Sequence, residues 1–181
     1  MKRYFFLFLT LLACESLSAR AQVVPSAVAR QFSVNVGGIG TAFQPDYGPN
    51  KLIGIGAFVD VKFSRWVQVE GEGRWLRWNQ YQNVYQDNYL IGPRVPLHKF
   101  WKATPYAKVL IGVGKMNFNF NYATGRFTDI AYGGGVDIAV SKRLSVRAVD
   151  FEYQQWPAWL SSSLYPYGVS AGVSYRILGG R

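Results

Sequence analysis

From residue 32 onward the chain alternates apolar and polar side chains with a period of two. In 52–63, Ile53, Ile55, Ala57, Val59, Val61 and Phe63 share one face. Gly54, Gly56, Phe58, Asp60 and Lys62 share the other. In 166–177, Tyr167, Val169, Ala171, Val173, Tyr175 and Ile177 alternate with Gly168, Ser170, Gly172, Ser174 and Arg176. Strict alternation predicts β-strands with two unlike faces. Eight segments carry it, at 32–43, 52–63, 66–78, 88–96, 104–116, 127–140, 144–156 and 166–177. They outrun the globular norm of about 5–6 residues and suit the roughly 9–11 residues of a tilted strand crossing a bilayer.

The predicted connections also alternate. Ser64-Arg65, 97–103 and 141–143 are short, whereas 44–51, 79–87, 117–126 and 157–165 are longer and rich in Asn, Gln, Asp, Pro, Ser and Tyr. Short turns on one side and long loops on the other are the asymmetry of outer-membrane barrels. An even number of strands places both ends of the barrel on the short-turn side.

The stretch Trp66 to Trp78 decides which face is wet. Val67, Val69, Gly71, Gly73 and Trp75 lie on one side, with Arg77 at its end, and Gln68, Glu70, Glu72 and Arg74 on the other. A soluble lipocalin- or avidin-like barrel would turn its apolar face inward. A small transmembrane barrel inverts this, with oily residues toward lipid and polar ones toward the lumen. Extended strand by strand, the polar phase collects Asp60, Lys62, Glu70, Glu72, Arg74, Arg94, Lys108, Asp129, Asp137, Asp150, Glu152 and Arg176. Of the nine carboxylates after residue 21, only Asp46 and Asp87 escape it, both at or beside long loops. Seven acids facing five bases are expected to pair, because an isolated charge in a narrow interior is costly. Gly54, Gly56, Gly112, Gly114, Gly133 and Gly135 in the same phase are expected to leave room for long charged side chains in a lumen barely wide enough to be filled. Tyr89, Trp75, Tyr132, Phe151 and Tyr153 are expected outward as interfacial girdles. Arg77 and Arg147 are expected outward too, reaching the headgroups. The fold class is therefore all-β, an eight-stranded antiparallel up-and-down transmembrane β-barrel.

Composition adds an address. Lys2 and Arg3 precede a short apolar run, Tyr4 to Ala13, and Ala19-Arg20-Ala21 offers a small-x-small exit. These are the parts of a secretory signal peptide, giving a leader at 1–21 and a barrel domain at 22–181. Cys14, the one cysteine, sits in a poor match to a lipoprotein cleavage box, so lipidation there is the alternative to its removal. Loss of Lys2, Arg3, Arg20 and Glu15 with the leader lowers the net charge from +10 to +8. Export argues against nucleic acid as the acidic partner and for outer-membrane lipid and lipopolysaccharide.

Three stretches resemble the small outer-membrane β-barrel proteins of the OmpA membrane-domain and OmpX type. Ser170 to Ile177, "SAGVSYRI", is similar to the assembly signal of a last strand, with Ser170, Gly172, Tyr175 and Ile177 in its marked places. "DFEYQQW", Asp150 to Trp156, resembles a penultimate strand, and "YGGGVDIAVSKRLSVRA", Tyr132 to Ala148, resembles the family's sixth strand, tight turn and seventh strand. The resemblance implies an outer-membrane barrel handled by the barrel assembly machinery. The chain departs from it in carrying Leu178-Gly179-Gly180-Arg181 after the signal, with Ile177 in the last hydrophobic place, and a C-terminal peptidoglycan-binding domain is not expected.

Candidate chemistry is thin. His98, the one histidine, falls in a short turn away from the long loops, and no nucleophile–base pair can be placed. Glu70 and Glu72 share a strand face with Arg74, which suits a salt-bridged lining better than acid–base work. "GVGK", Gly112 to Lys115, lacks the fuller phosphate-loop pattern. The glycines at 133–135 lie within a strand. No cofactor or metal is expected. Three readings stand: a structural or surface-binding barrel, using loop aromatics such as Tyr47, Tyr81, Tyr85, Trp159 and Tyr165; a narrow ion or small-solute channel; or a lipid-modifying enzyme.

Overall fold

The structure is a computed structural model and describes residues 32–157, except 48, 65 and 81, and 163–179. The expected leader, with Cys14, and the loop aromatics Tyr81 and Trp159 lie outside the described residues. Eight strands run β1 (Ser33–Gln44), β2 (Leu52–Lys62), β3 (Gln68–Trp78), β4 (Tyr85–Pro96), β5 (Ala103–Asn117), β6 (Thr124–Ala139), β7 (Leu144–Gln155) and β8 (Tyr167–Leu178). Each pairs antiparallel with its sequence neighbour, and β1 pairs with β8 to close the barrel. Closure leaves no strand edge, so the backbone of the wall bonds within itself, as hydrocarbon requires.

The inversion holds around the ring. Ile53, Ile55, Val59, Val109, Ile111 and Val173 point out and are exposed, whereas Glu70, Arg74, Lys108 and Asp150 are at most 2% exposed inside. Tyr89, Tyr132, Phe151 and Tyr153 also face outward, as expected. Trp75 is half-buried on the same surface, and its indole N–H donates to the Tyr89 hydroxyl at 3.0 Å.

Two differences from the sequence expectation have one cause each. Strands β4 and β6 begin earlier than predicted, at Tyr85 and Thr124, so loops 79–84 and 118–123 are no longer than the turn 97–102. Gln86 falls in the predicted loop, and Asn88 only at the edge of the predicted strand. They are buried lumen residues here, because inside this barrel polarity no longer marks a loop.

The second difference is Arg147, which points inward and is 1% exposed. A β-bulge separates it from the upper half of β7. Arg147 pairs with Gly172 and Asp150 with Ser170, so three steps on β7 oppose two on β8. The same slip occurs against β6, where Val136 pairs with Val149 and Asp137 with Arg147. Ala148 is the extra residue, and Ala148 and Val149 are exposed in succession. One inserted residue reverses the phase of everything beyond it.

Candidate functional site: the lumen and the loop end

The lumen is layered. At the loop end lies an apolar plug built from the ends of five strands, loop 79–84 and the residue just beyond β7: Phe43, Leu52, Leu76, Val84, Met116, Phe127 and Trp156, all 7% exposed or less. Phe127 stacks on Trp156 with ring centroids 3.6 Å apart. Tyr47, Phe118 and Leu164 pack on the plug from the loops. Burial of such side chains stabilises by about 1.5–3 kcal/mol each.

Beneath the plug is an amide layer. Gln86 Nε2 donates to Asn88 Oδ1 at 2.8 Å and to Gln154 Oε1 at 3.2 Å. The Trp156 indole also donates to Gln154 Oε1, at 3.2 Å. Asn88 donates to Asp129, and Gln154 Nε2 passes the chain of bonds down to Glu152 at 2.8 Å.

The ionic core follows. Arg74 Nη1 reaches Glu152 Oε1 at 2.8 Å and its other terminal nitrogen meets Glu72. The Lys108 ammonium sits among four carboxylates: Asp150 at 2.7 Å, Glu70 at 3.0 Å, Glu72 at 3.1 Å and Glu152 at 3.2 Å. Arg147 Nη2 donates to Glu70 at 2.8 Å and to Asp60 at 3.4 Å. Arg94 Nη1 donates to Asp60 at 2.6 Å, and Arg94 also pairs with Asp137. The guanidinium of Arg94 lies 3.7 Å from the ring centre of Tyr106, and that of Arg147 lies 3.7 Å from Phe58. In this water-poor interior, planar guanidinium groups thus find acids at their edges and aromatic faces above.

Nine of the twelve charged residues expected in the lumen enter this core, whereas Asp129 stays in the amide layer on Asn88 and forms no ion pair among the described residues. Lys62 and Arg176 stand apart at the turn end, half-buried, and neither meets a carboxylate among the described residues. Arg147 takes a place the sequence did not assign. The available signal was stoichiometric, since seven acids facing five bases left room for another cation.

The inward glycines have a further use than expected. Four are direct cross-strand partners of inward aromatic residues: Gly37 of Phe58, Gly168 of Phe43, Gly114 of Phe127 and Gly135 of Tyr106. A Cβ on Gly114 would lie 1.9 Å from the Phe127 ring, and one on Gly37 would lie 2.3 Å from Phe58. The rings lie flat across the glycines, a pairing that pins register. Gly133 fits the original expectation, with Lys108 Cε 3.3 Å from where its Cβ would be.

Glu70, Glu72 and Asp150 form the one carboxylate group close enough to hold a metal ion among the described residues. The Lys108 ammonium bonds to all three and supplies the positive charge a metal would bring. His98 lies in the turn 97–102, edge-on to Phe100 at 5.1 Å between ring centres. On the last strand, Tyr175 and Ile177 face outward and Gly172 inward.

Residues 82–83 and 118–121 are tied together at the rim. Phe120 N–H donates to Gln82 O at 2.8 Å and Asn121 N–H to Phe118 O at 3.1 Å. Asn117 Nδ2 donates to Asn83 O at 2.8 Å and to Asn121 Oδ1 at 2.7 Å. Gln82, Asn83, Phe120 and Asn121 all take positive φ, and these bonds tie loop 79–84 to loop 118–123. Phe120 and Tyr122 project from the rim at 73% and 92% exposure. Tyr47 and Tyr85, expected to be free loop aromatics, are not. Tyr47 packs on the plug and Phe118, and Tyr85 carries the Arg77 guanidinium 4.9 Å from its ring centre.

A closed β-barrel wall is also what known proteins share with this chain. The family model described as "Outer membrane protein beta-barrel domain" matches residues 6–176. The chain belongs to that family. Family membership implies the outer membrane as its location. The N-terminal β-barrel domain of Pseudomonas aeruginosa OprF is similar in structure, with a TM-score of 0.63 at 12% identity, covering 81% of this chain and 98% of that one. Neisserial surface protein A gives 0.64 at 10% identity, covering 80% and 96%. The outer membrane protein OprG of Pseudomonas aeruginosa gives 0.56 at 9%, covering 83% and 97%. At these identities the likeness speaks for the fold alone. No curated protein matches the chain.

Proposed function

We propose that this outer-membrane barrel is a non-conducting structural and surface-binding protein whose contacts are made at the loop end. The reading rests on the filled lumen. The plug, the amide layer and the ionic core occupy successive levels of the interior, and Arg74, Lys108, Arg147 and Glu70 are each 2% exposed or less. An eight-stranded barrel has space only for its own side chains, and here these are tied to one another. Binding falls to the rim, where Phe120 and Tyr122 stand on tied loops. A bulky non-glycine residue with φ of 56° carries strain of order 1–3 kcal/mol that its surroundings must hold. An exposed aromatic ring presented at that cost suits contact with an external ligand or with lipopolysaccharide. The outward Tyr175 and Ile177, with Gly172, are the candidate signal for the barrel assembly machinery.

Planar-bilayer recording tests the non-conducting half of the reading. Purified protein is expected to give no stable current steps. Stable steps whose size changes in Arg74→Ala or Glu72→Ala would make the protein a channel instead.

A further inference from the structure

At the turn end, below the ionic core, the lumen opens into a polar vestibule of about 340 Å³. That volume lies at the small end of ligand pockets, about 300–1,000 Å³. Its roof is Arg94 with Asp137, and its walls include Lys62, Arg176, Asn35 and Gln68. Four cationic residues, Lys62, Arg94, Lys99 and Arg176, face a single carboxylate, Asp137. Asp137 is already engaged by Arg94 and lies 3.6 Å from Arg147 Nε. The positive charge of Lys62 and Arg176 is therefore left over. Arg176 Nε has only the side-chain oxygen of Asn35, at 3.4 Å.

The surroundings deepen this potential. Lys99, Lys102, Lys142 and Arg143 lie in the turns around the opening, and the segments 62–67, 97–103 and 139–145 contain no Asp or Glu. A cleft of one sign with low-dielectric walls concentrates counter-ions. The wall also supplies neutral donors: the hydroxyls of Ser33, Thr104 and Ser145 and the amides of Asn35 and Gln68.

We propose that the vestibule is a binding site for a small phosphate-bearing anion entering from the turn side, which in outer-membrane barrels faces the periplasm. A phosphate monoester or pyrophosphate carries the charge to meet both Lys62 and Arg176. It also has more acceptor oxygens than a carboxylate, enough to use the hydroxyl and amide donors beside them. The site is separate from the loop rim, and its blind roof makes it a binding pocket rather than a conduction path.

The test is calorimetric titration of the folded barrel, in neutral detergent at fixed ionic strength, with inorganic pyrophosphate. Saturable binding of one pyrophosphate per barrel is expected. Lys62→Gln with Arg176→Gln should weaken it by about tenfold or more, the loss of roughly 1.4 kcal/mol or more. Lys51→Gln with Arg126→Gln removes the same charge at the loop end and should leave binding intact. Succinate should bind far more weakly. A non-saturating isotherm, equal loss in both double variants, or succinate binding as tightly as pyrophosphate would overturn the proposal. Amide shifts of the unaltered protein give a readout that needs no variant. Pyrophosphate should move Ser33, Asn35, Gln68 and Ser145, and movement confined to the loop-end residues would overturn the assignment.

Discussion

Arg147 touches Glu70, Asp60 and Asp150 and covers the face of Phe58. Replacing it with methionine roughly keeps volume but leaves those carboxylates to share Arg94 and Lys108 alone, one cation short. Removing one partner of a buried ion pair costs about 3–5 kcal/mol. Arg147→Met is therefore expected to lower the stability of the refolded barrel by that amount in urea titrations. Arg77 is the control. It forms a short bond to Asp87, with Nη2 2.6 Å from Oδ2, but its side chain is 53% exposed, and Arg77→Gln is expected to cost no more than about 1 kcal/mol. Equal costs for the two would mean that the core carries no special electrostatic weight. Lys108→Met should match Arg147→Met, and adding Glu70→Gln should recover part of the loss, since it removes one of the carboxylates left unbalanced.

At the scale of the strand, the glycine–aromatic pairs set register. Gly114→Ala would drive a methyl group into the Phe127 ring and push that ring off Trp156. Overpacking of this kind costs about 1–3 kcal/mol, and the near-ultraviolet circular dichroism of the stacked pair is expected to weaken. An unchanged spectrum would mean that Phe127 has room to move. The loop rim depends on Asn117 in the same local way. Asn117→Ala removes the bonds to Asn83 and Asn121. Chymotrypsin is then expected to cut near Phe120 and Tyr122 faster than in the parent protein; cleavage of both proteins at the same rate would deny the tied rim. The strands themselves were legible from alternation, because a wall with lipid on one side and ions on the other enforces period two. Their ends were less so. Gln86 carries the polarity of a loop while serving the lumen, and the bulge at Ala148 leaves no trace in the composition of β7. The cross-strand pairs were invisible for another reason: they join residues on neighbouring strands, and register is not written in one strand's pattern.

For the whole molecule, the sorting of charge reduces to solvation. Ten charged residues sit in a core that excludes water, and the same chain turns isoleucine and valine outward. That arrangement is stable only if the outside is hydrocarbon. The plug adds a second requirement, that the loop end stay shut. The vestibule shows that the polar interior is not uniform, since Lys62 and Arg176 meet no carboxylate among the described residues where the cations of the core do. The sequence disclosed the inversion through seven inward carboxylates, but not the layering, which depends on which inward residues share a level. Inversion is tested most directly by nitroxide labels placed one at a time along β8 of the barrel in lipid bilayers. Labels at 167, 169, 171, 173 and 175 are expected to be open to oxygen in the hydrocarbon and closed to a water-soluble nickel chelate. Labels at 170 and 174, the inward positions that are not glycine-packed, are expected to be immobile and shielded from both. The opposite phase, or an outward face open to the chelate along its whole length, would contradict the account.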